Sequence, residues 1–547
     1  TIAVIAAFFL GDYFEAAMVA LLFHIGEMLE DRAVNKSRHS IEELAEIRPD
    51  TAWVLHDHGE HKVDARSVTV GSVISVHPFE RVPLDGVVLS GNSTLDASAL
   101  TGESLPMEAS AGTEVLSGMM NGEAALTVKV TKAYSDSAAT RIIDMVESAA
   151  AQKGNAERAI TRFARIYTPI VMALAILLAF LPPLIGMGEF STWISRALVF
   201  LVASCPCALV ISVPLGFYSG IGAASKIGVL VKGGRYLEAL SKVDAVVFDK
   251  TGTLTSGKLS VSKITTVNGY SQDDFLPLAA AAEQYSEHPV ARAIKEAAAG
   301  LELPKLTGFT ELAGLGVRAL HGTDEILCGR NRLFVERGIS LSGLPEASVY
   351  LSVNGKAIGA AQIADAPRKE APAAIHALRN LGVKRLVMLT GDAEKPAAEI
   401  ARQCGLTEYH AGLMPEDKVR LMQEIRQKSG VTAFVGDGIN DAPVLASADC
   451  GIAMGLGTDA AIESADIVLT TDSPARLPDA ISLFRRTMRI VRFNIAFALT
   501  VKAAVLILAA FGYAPMWSAV FADVGVSLIA VLNSARILKG KKQEIAG

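Results

Sequence analysis

The stretch that decides the fold is VDAVVFDKTGTLT, residues 243–255. A short apolar run ends in Asp249 and passes into a polar loop that contains glycine. This pattern is typical of a buried parallel strand, and α/β proteins bind their ligands at the carboxyl ends of such strands. Asp249 is therefore placed to act on a ligand.

Two further runs, RLVMLTGD (385–392) and TAFVGDGIND (432–441), also pass from an apolar strand into an acidic loop. A single aspartate after a strand is usually only a turn residue. Three such loops should meet at one edge of a parallel sheet, and clustered carboxylates need a cation such as Mg²⁺ together with phosphate oxygens. The sequence therefore predicts phosphoryl transfer to a carboxylate through an aspartyl phosphate.

Each polar residue of these loops has a predicted role. Asp249 is the nucleophile, and together with Asp437 and the backbone carbonyl of Thr251 it holds Mg²⁺. Lys418, in PEDKVRL, neutralises charge on the transferred phosphoryl group. Asp441 orients the site, and Thr390 and Asp392 of the TGD loop are further catalytic candidates.

The rest of the chain reads as membrane helices alternating with soluble domains. Hydrophobic residues make up 51% of the sequence while 20% are charged, so the two kinds must be segregated. Five segments are apolar enough to span a bilayer: 1–26, 166–187, 194–217, 495–512 and 516–538. Lysines and arginines cluster at one end of each, which places those ends in the cytoplasm. Because the span count is odd and the chain starts at Thr1, we expect upstream helices to be missing from this sequence.

The motifs DKTGTLT, TGD and GDGINDAP resemble the phosphorylation core of P-type ATPases, within the haloacid-dehalogenase-like superfamily. The resemblance implies a multi-domain membrane protein: an α-helical transmembrane domain, a β-rich actuator domain, and an α/β phosphorylation domain with an inserted α+β nucleotide-binding domain. The predicted divisions are 1–44 (first helix and extension), 45–150 (actuator), 151–234 (hairpin), 235–257 and 366–484 (phosphorylation), 258–365 (nucleotide binding) and 485–547 (last hairpin).

The resemblance also assigns residues that bind and hydrolyse. Thr101, Gly102 and Glu103 match the actuator loop, in which Glu103 positions the water that hydrolyses the aspartyl phosphate. EQYSEHPVARAIK (283–295) and AGLGVRA (313–319) resemble the nucleotide pocket of heavy-metal pumps. By this match ATP contacts Glu283, His288, Gly314 and Gly316. Lys250 and Thr251, after the nucleophile, are further ATP-binding candidates. On its own, His288 before a proline could equally begin a helix.

The transported ion is expected at Cys205-Pro206-Cys207, inside the third span. Pro206 should unwind the helix so that both thiolates face one soft ion. Lys502 and Asp523 are ionisable residues in apolar stretches, which are functional by default, and they can pair when no metal is bound. Two thiolates and one carboxylate leave a charge of −1 on a divalent ion, which Lys502 can cancel. By resemblance this pattern indicates Zn²⁺, Cd²⁺ or Pb²⁺, with Glu15 on the exit path.

Three alternatives stay open at this point: a Cu⁺ pump, a membrane-anchored phosphatase of the same superfamily, and a metal sensor without ATP turnover. The net charge of −6 argues against nucleic acid as a partner. The expected partners are ATP, a heavy-metal cation and the lipid bilayer. We expect a monomer in a bacterial inner membrane, with its catalytic domains in the cytoplasm.

Overall fold

The computed structural model divides into two compact units, Thr1–Val246 with Ala377–Arg385 and Val419–Gly547, and Val247–His376 with Leu386–Lys418. The residues that the structure describes are 8, 13–14, 16–25, 27–28, 31–32, 48–56, 59–101, 106–151, 154–204, 206–312, 314–437, 441–455, 463–471 and 473–538.

The described helices and strands are numbered here in chain order. The strands are β1 (Thr51–His56), β2 (Gly59–Asp64), β3 (Val73–Val76), β4 (Gly86–Ser90), β5 (Ser93–Asp96), β6 (Met107–Ala109), β7 (Glu114–Val115), β8 (Met120–Asn121), β9 (Leu126–Val130), β10 (Val229–Val231), β11 (Ala245–Asp249), β12 (Thr255–Thr266), β13 (Thr307–Leu312), β14 (Gly316–His321), β15 (Asp324–Gly329), β16 (Val349–Val353), β17 (Lys356–Pro367), β18 (Arg385–Leu389), β19 (Glu408–His410), β20 (Thr432–Gly436), β21 (Cys450–Met454) and β22 (Ile467–Leu469).

The helices are α1 (Ala16–Ile25), α2 (Ser98–Thr101), α3 (Ala138–Ala151), α4 (Asn155–Leu184), α5 (Phe190–Ala203), α6 (Cys207–Ser225), α7 (Gly234–Ser241), α8 (Gln272–Ala282), α9 (Pro289–Ala297), α10 (Asn331–Glu336), α11 (Ala371–Asn380), α12 (Glu394–Cys404), α13 (Pro415–Ser429), α14 (Ala442–Ser447), α15 (Arg476–Ala510) and α16 (Met516–Ala535).

The first unit contains the apolar helices. Four helical segments of the described chain are long and apolar enough to cross a membrane: Asn155–Leu184, Phe190–Ser225, Arg476–Ala510 and Trp517–Ala535. The helix α1 is shorter, and most of the predicted span 1–26 around it lies outside the described residues. Four of the five predicted spans therefore coincide with helices.

The ends of these helices differ from the predicted spans. The predicted span 166–187 overruns α4, which ends at Leu184 before a turn at Gly186 (φ +81°). The predicted span 495–512 overruns α15, which ends at Ala510 before Gly512 (φ +82°). At the other end, α4 and α15 each begin far ahead of the apolar run, because polar residues continue the helix.

The helix that contains Cys-Pro-Cys is interrupted, as the sequence predicts. The helix α5 ends at Ala203 and α6 begins at Cys207, and Pro206 between them has φ −81° and ψ 32°. Since proline lacks an amide hydrogen, it cannot continue the helical hydrogen bonds through this point. The third predicted span, 194–217, is two helices rather than one.

Strands β1 to β9 of the first unit form two antiparallel sheets, with strand orders β2-β1-β3-β9-β4-β7 and β6-β5-β8. Buried aliphatic residues such as Ile74, Leu84 and Val128 fill the space beneath them. The buried carboxylate of Asp85 accepts hydrogen bonds from the amides of Ser117 (2.8 Å) and Ala138 (3.0 Å). Asp85 therefore attaches the sheet to the start of α3.

The first unit also holds the strand order β10-β22-β21-β20, in which β20, β21 and β22 are parallel and β10 is antiparallel. In the second unit β18 pairs in parallel with β19. A six-stranded antiparallel sheet in the same unit has the order β12-β17-β16-β15-β14-β13. Helices α8 and α9 cover one face of this sheet with a core that includes Phe275, Ile294 and Leu351.

Candidate functional site

Asp249 is the last residue of β11 and its carboxylate is held from two directions. Oδ2 accepts the amide of Thr251 (2.9 Å), and Oδ1 lies 2.6 Å from Nζ of Lys418. The tight turn that follows needs Gly252, whose φ of +73° is unfavourable for other residues. Asp249 is only 6% exposed. The structure thus brings together the predicted nucleophile and the predicted charge-neutralising lysine.

Lys250 lies between two carboxylates of the second unit. Its Nζ is 2.6 Å from Asp392 and 3.9 Å from Asp365, and the side chain is buried. Thr390 holds the loop of Asp392 by accepting that residue's amide on Oγ1 (3.1 Å). The TGD loop is therefore fixed beside the DKTGT loop by an ion pair that the sequence did not predict.

The third acidic loop belongs to the first unit. Asp437 directly follows β20, and Asp441 is buried just before α14. Residues 438–440 between them lie outside the described residues. The predicted approach of Asp437 and Asp441 to Asp249 stays a prediction.

The four residues predicted from the nucleotide motifs line one pocket in the second unit. Glu283, His288, Gly314 and Gly316 share its wall with other residues, which include Glu311, Gly329, Arg330 and Ser348. Gly316 has φ +150° and lies against β15, where an added Cβ would come 2.2 Å from the carbonyl oxygen of Cys328. Glycine is therefore required at this position.

Glu283 and His288 each make interactions within the protein that affect how they could bind a nucleotide. Burial raises the pKa of Glu283, although hydrogen bonds with Ser286 and Cys328 oppose the shift. Burial also raises the pKa of the Cys328 thiol well above its ordinary value. His288 accepts the amide of Val290 on Nδ1 (3.2 Å) and so caps α9. The helix-start interpretation of His288 is thus confirmed, and it leaves Nε2 as the nitrogen that can face a nucleotide.

Lys502 of α15 and Asp523 of α16 form an ion pair among apolar helices. Their side chains are 8% and 16% exposed and Nζ lies 2.5 Å from Oδ1. Nζ also approaches the carbonyl of Ala203 (3.4 Å), the last residue of α5 before the helix break. A small cavity at this point is lined by both charged residues and by Ala203, Val505, Ala519 and Val526. The predicted pairing is confirmed.

Several predicted residues cannot be placed. Glu15, Gly102, Glu103 and Cys205 lie outside the described residues. Thr101 ends α2 and Cys207 begins α6, but their side chains are not described. Within the described chain, no group of three or more His, Cys, Asp or Glu side chains is arranged to hold a metal ion.

Comparison with known proteins agrees with this geometry. Residues 46–147 match the profile of the P-type ATPase actuator domain, and residues 243–449 match that of haloacid dehalogenase-like hydrolases. The chain is 46% identical to the cadmium, zinc and cobalt-transporting ATPase of Bacillus subtilis, over 99% of this chain and 78% of that protein. It is also 46% identical to the zinc-transporting ATPase of Synechocystis sp., over 98% and 76%. The chain belongs to the heavy-metal, PIB-type family of P-type ATPases.

A solved structure supports the same assignment. The crystal structure of a zinc-transporting PIB-type ATPase in an E2.Pi state is 40% identical, covers 98% of this chain and 89% of its own, and has a TM-score of 0.64. The protein described by the present sequence is thus an integral membrane enzyme that couples ATP hydrolysis to metal transport. Its helices, actuator domain and phosphorylation domain are those that the sequence motifs predict.

Sequence reasoning missed two contributors to the ATPase site. Asp365 bonds the hydroxyl of Thr255 and the amide of Gly257 (2.9 Å), so it fixes the loop after Asp249. Arg368 donates to the carbonyl of Gly252 (3.0 Å) in the same loop. The only signal was the group of charged residues in ADAPRK (364–369), which closely follows the apolar run AIGAAQIA (357–364).

Proposed function

We propose that this ATPase exports Zn²⁺ or Cd²⁺ from the cytoplasm, and that Pb²⁺ is a further candidate by the same chemistry. Cysteine thiolates with one carboxylate suit soft and borderline divalent ions. The Bacillus relative is a transporter of cadmium, zinc and cobalt, and the Synechocystis relative is a transporter of zinc. These relatives do not favour the Cu⁺ alternative, for which a lysine–aspartate pair would have no use.

The observation that carries the proposal is the buried ion pair of Lys502 and Asp523 beside the break at Pro206. A buried carboxylate without a cation is costly, so Asp523 can release Lys502 only when another cation takes its place. In the metal-free protein the cation is Lys502. When Zn²⁺ binds the thiolates of Cys205 and Cys207, Asp523 becomes its carboxylate ligand and Lys502 balances the remaining negative charge.

Asp249 is the group that accepts phosphate. One carboxylate oxygen attacks the γ-phosphorus of ATP, the bond from that phosphorus to the β–γ bridging oxygen breaks, and ADP leaves. Lys418, already 2.6 Å from Oδ1, is placed to stabilise negative charge on the phosphoryl oxygens. Lys250 and Asp392 keep the neighbouring loop in position through their ion pair.

The nucleotide is proposed to bind in the pocket of Glu283, His288, Gly314 and Gly316. Mg²⁺ would be held by Asp249, the carbonyl of Thr251 and Asp437, which are hard oxygen donors of the kind that this ion prefers. The fixed, buried carboxylate of Asp249 fits that use. When bound, Mg²⁺ supplies positive charge next to the phosphate oxygens.

Release of phosphate is assigned to Glu103. It would take a proton from a water molecule that attacks the phosphorus, which breaks the bond to the Asp249 oxygen and frees inorganic phosphate. Transport requires that the phosphorylated and dephosphorylated states bind metal with different affinity. We propose a monomer whose catalytic domains face the cytoplasm.

Metal uptake by inside-out vesicles that contain the full-length protein tests this function. ATP should drive uptake of Zn²⁺ and Cd²⁺, and Asp249→Asn and Asp523→Ala should each abolish it. Uptake of Cu⁺ without uptake of the divalent ions would overturn the proposed cargo. ATP hydrolysis in the presence of Mg²⁺ that is independent of Zn²⁺, Cd²⁺ and Cu⁺, and unchanged by Asp523→Ala, would instead favour a phosphatase.

A further inference from the structure

A column of buried polar groups leads along α6, α15 and α16 from the ion pair towards the cytoplasmic ends of these helices. Asn494, Ser212, Ser527 and Ser534 are all at most 1% exposed. They lie on the side of Lys502 and Asp523 that faces the basic, cytoplasmic helix ends. None of these four residues was assigned a role by the sequence motifs.

The inner end of the column is a set of hydrogen bonds that joins the three helices. Asn494 donates to the carbonyl of Ala530 (2.9 Å) and to Oγ of Ser534 (3.0 Å), and its Oδ1 accepts Nδ2 of Asn533 (2.8 Å). Ser534 in turn donates to the carbonyl of Ser212 on α6 (3.0 Å). Both amide hydrogens and the oxygen of Asn494 are therefore used to hold the helices together.

Two serine hydroxyls, one on α6 and one on α16, are buried near these hydrogen bonds. Oγ of Ser212 and Oγ of Ser527 are buried without a hydrogen-bond partner among the described residues. A serine within a helix ordinarily satisfies its hydroxyl on the carbonyl of the preceding turn, as Thr500 does here with Ala496 (2.8 Å). A buried hydroxyl without a partner carries a desolvation cost, so these positions are expected to serve a polar ligand.

The positions along the helices connect the column to the metal site. Ser527 lies one turn beyond Asp523 on the same face of α16, about 6 Å along the axis. Asn494 is about 12 Å along α15 from Lys502, too far to bind an ion held at Asp523. Between these levels Ala208, Leu209, Ala498 and Val526 pack as an apolar layer, which closes the route to the ion pair in this structure.

We propose that these oxygens form the cytoplasmic access path of the transported divalent cation, with Asn494 as its gate. The proposal rests on the proposed function, since it supplies the route by which the ion reaches Asp523. In the structure the hydrogen bonds of Asn494 close the gate, and Lys502 forms an ion pair with Asp523. When α16 separates from α15, the amide oxygen of Asn494 and the hydroxyls of Ser534, Ser212 and Ser527 become available to a partly hydrated ion. Neutral oxygens suit a path because they bind a cation weakly enough to pass it on.

Metal-dependent phosphorylation of the full-length protein tests the path. Ser527→Ala and Ser212→Ala remove hydroxyls that have no hydrogen-bond partner in the described part of the chain, so neither should disturb folding. Each should raise the Zn²⁺ concentration for half-maximal phosphorylation from ATP about fivefold, the equivalent of one lost neutral hydrogen bond. Asn494→Leu should raise it further. Thr500→Ala removes a hydroxyl from the outer face of α15 and should leave it unchanged.

Phosphorylation by inorganic phosphate without metal separates access from structural damage. This reaction needs a folded Asp249 site but no cation from the cytoplasm, so Ser527→Ala, Ser212→Ala and Thr500→Ala should match the wild type. Unchanged Zn²⁺ dependence in both serine variants would overturn the proposal. An effect of Ser527→Ala alone would also overturn it, because Ser527 would then be only a ligand at the site. Wild-type phosphorylation that ignores Zn²⁺ and Cd²⁺ would instead refute the proposed function.

Discussion

Replacement of Lys502 by methionine is expected to destabilise the metal-free protein, because it leaves the carboxylate of Asp523 without its cation. The two side chains are 8% and 16% exposed and their charged atoms lie 2.5 Å apart. Removing one partner of a buried ion pair costs about 3–5 kcal/mol. Methionine keeps most of the volume of lysine, so the loss should reflect charge rather than a cavity.

A double-mutant cycle isolates this interaction. Thermal unfolding of metal-free protein in detergent is measured for Lys502→Met, Asp523→Asn and the double variant, with Thr500→Ala as the control on the same helix. The double variant should be more stable than the sum of the single losses predicts, by about 1–3 kcal/mol. Zn²⁺ should raise the unfolding temperature of the wild type more than that of Asp523→Asn, because the variant lacks the carboxylate ligand of the ion.

Two results would refute this reasoning. Additive losses in the double variant would mean that Lys502 and Asp523 do not compensate each other. An equal effect of Zn²⁺ on the wild type and on Asp523→Asn would mean that the ion does not approach Asp523.

The soluble domains give three further predictions. Lys418→Ala should slow phosphorylation from ATP by about 100-fold and leave ATP affinity unchanged, because Lys418 contacts the Asp249 carboxylate rather than the nucleotide pocket. Labelling with radioactive ATP and a separate measurement of nucleotide binding check this, and a loss of ATP affinity would contradict it. Gly316→Ala should lower ATP affinity more than Gly314→Ala does, because the new Cβ at position 316 would collide with the Cys328 carbonyl whereas Gly314 faces open space. Calorimetric titration of the two variants with ATP compares their affinities, and equal losses would show that the collision is relieved. Burial raises the folded-state pKa of Glu283 above 4.5, so its contribution to stability is present below pH 4.5 and is lost as pH rises through the raised value. Glu283→Gln should therefore flatten the fall in unfolding temperature above pH 4.5, and a curve parallel to the wild type would contradict this.

The pairing of Lys502 and Asp523 could be predicted from sequence because isolated charges in apolar helices leave few choices of partner. The helix break at Pro206 and the strands before Asp249, Thr390 and Asp437 were predictable for a similar reason. In each case a local rule of backbone or burial chemistry dominates over tertiary context.

The contacts that depend on distant segments could not be predicted. Asp365 reaches Thr255 and Gly257 only because β12 and β17 pair, and nothing near Asp365 in the sequence indicates that register. The hydrogen bonds of Asn494 require α6, α15 and α16 to meet at one level. The starts of α4 and α15 could not be predicted because hydrophobicity marks the apolar part of a helix and not its polar continuation. Their ends were overrun because apolar residues continue into the turns at Gly186 and Gly512.

The most direct test of the account is labelling of the full-length protein with radioactive ATP as Zn²⁺ is varied. We predict that label on Asp249 appears only when Zn²⁺ or Cd²⁺ is present, and that Cys205→Ala and Asp523→Ala each remove this dependence by preventing labelling from ATP while phosphorylation by inorganic phosphate persists. Equal labelling with and without these ions, in a protein that folds and binds ATP, would contradict the coupling of the membrane site to Asp249.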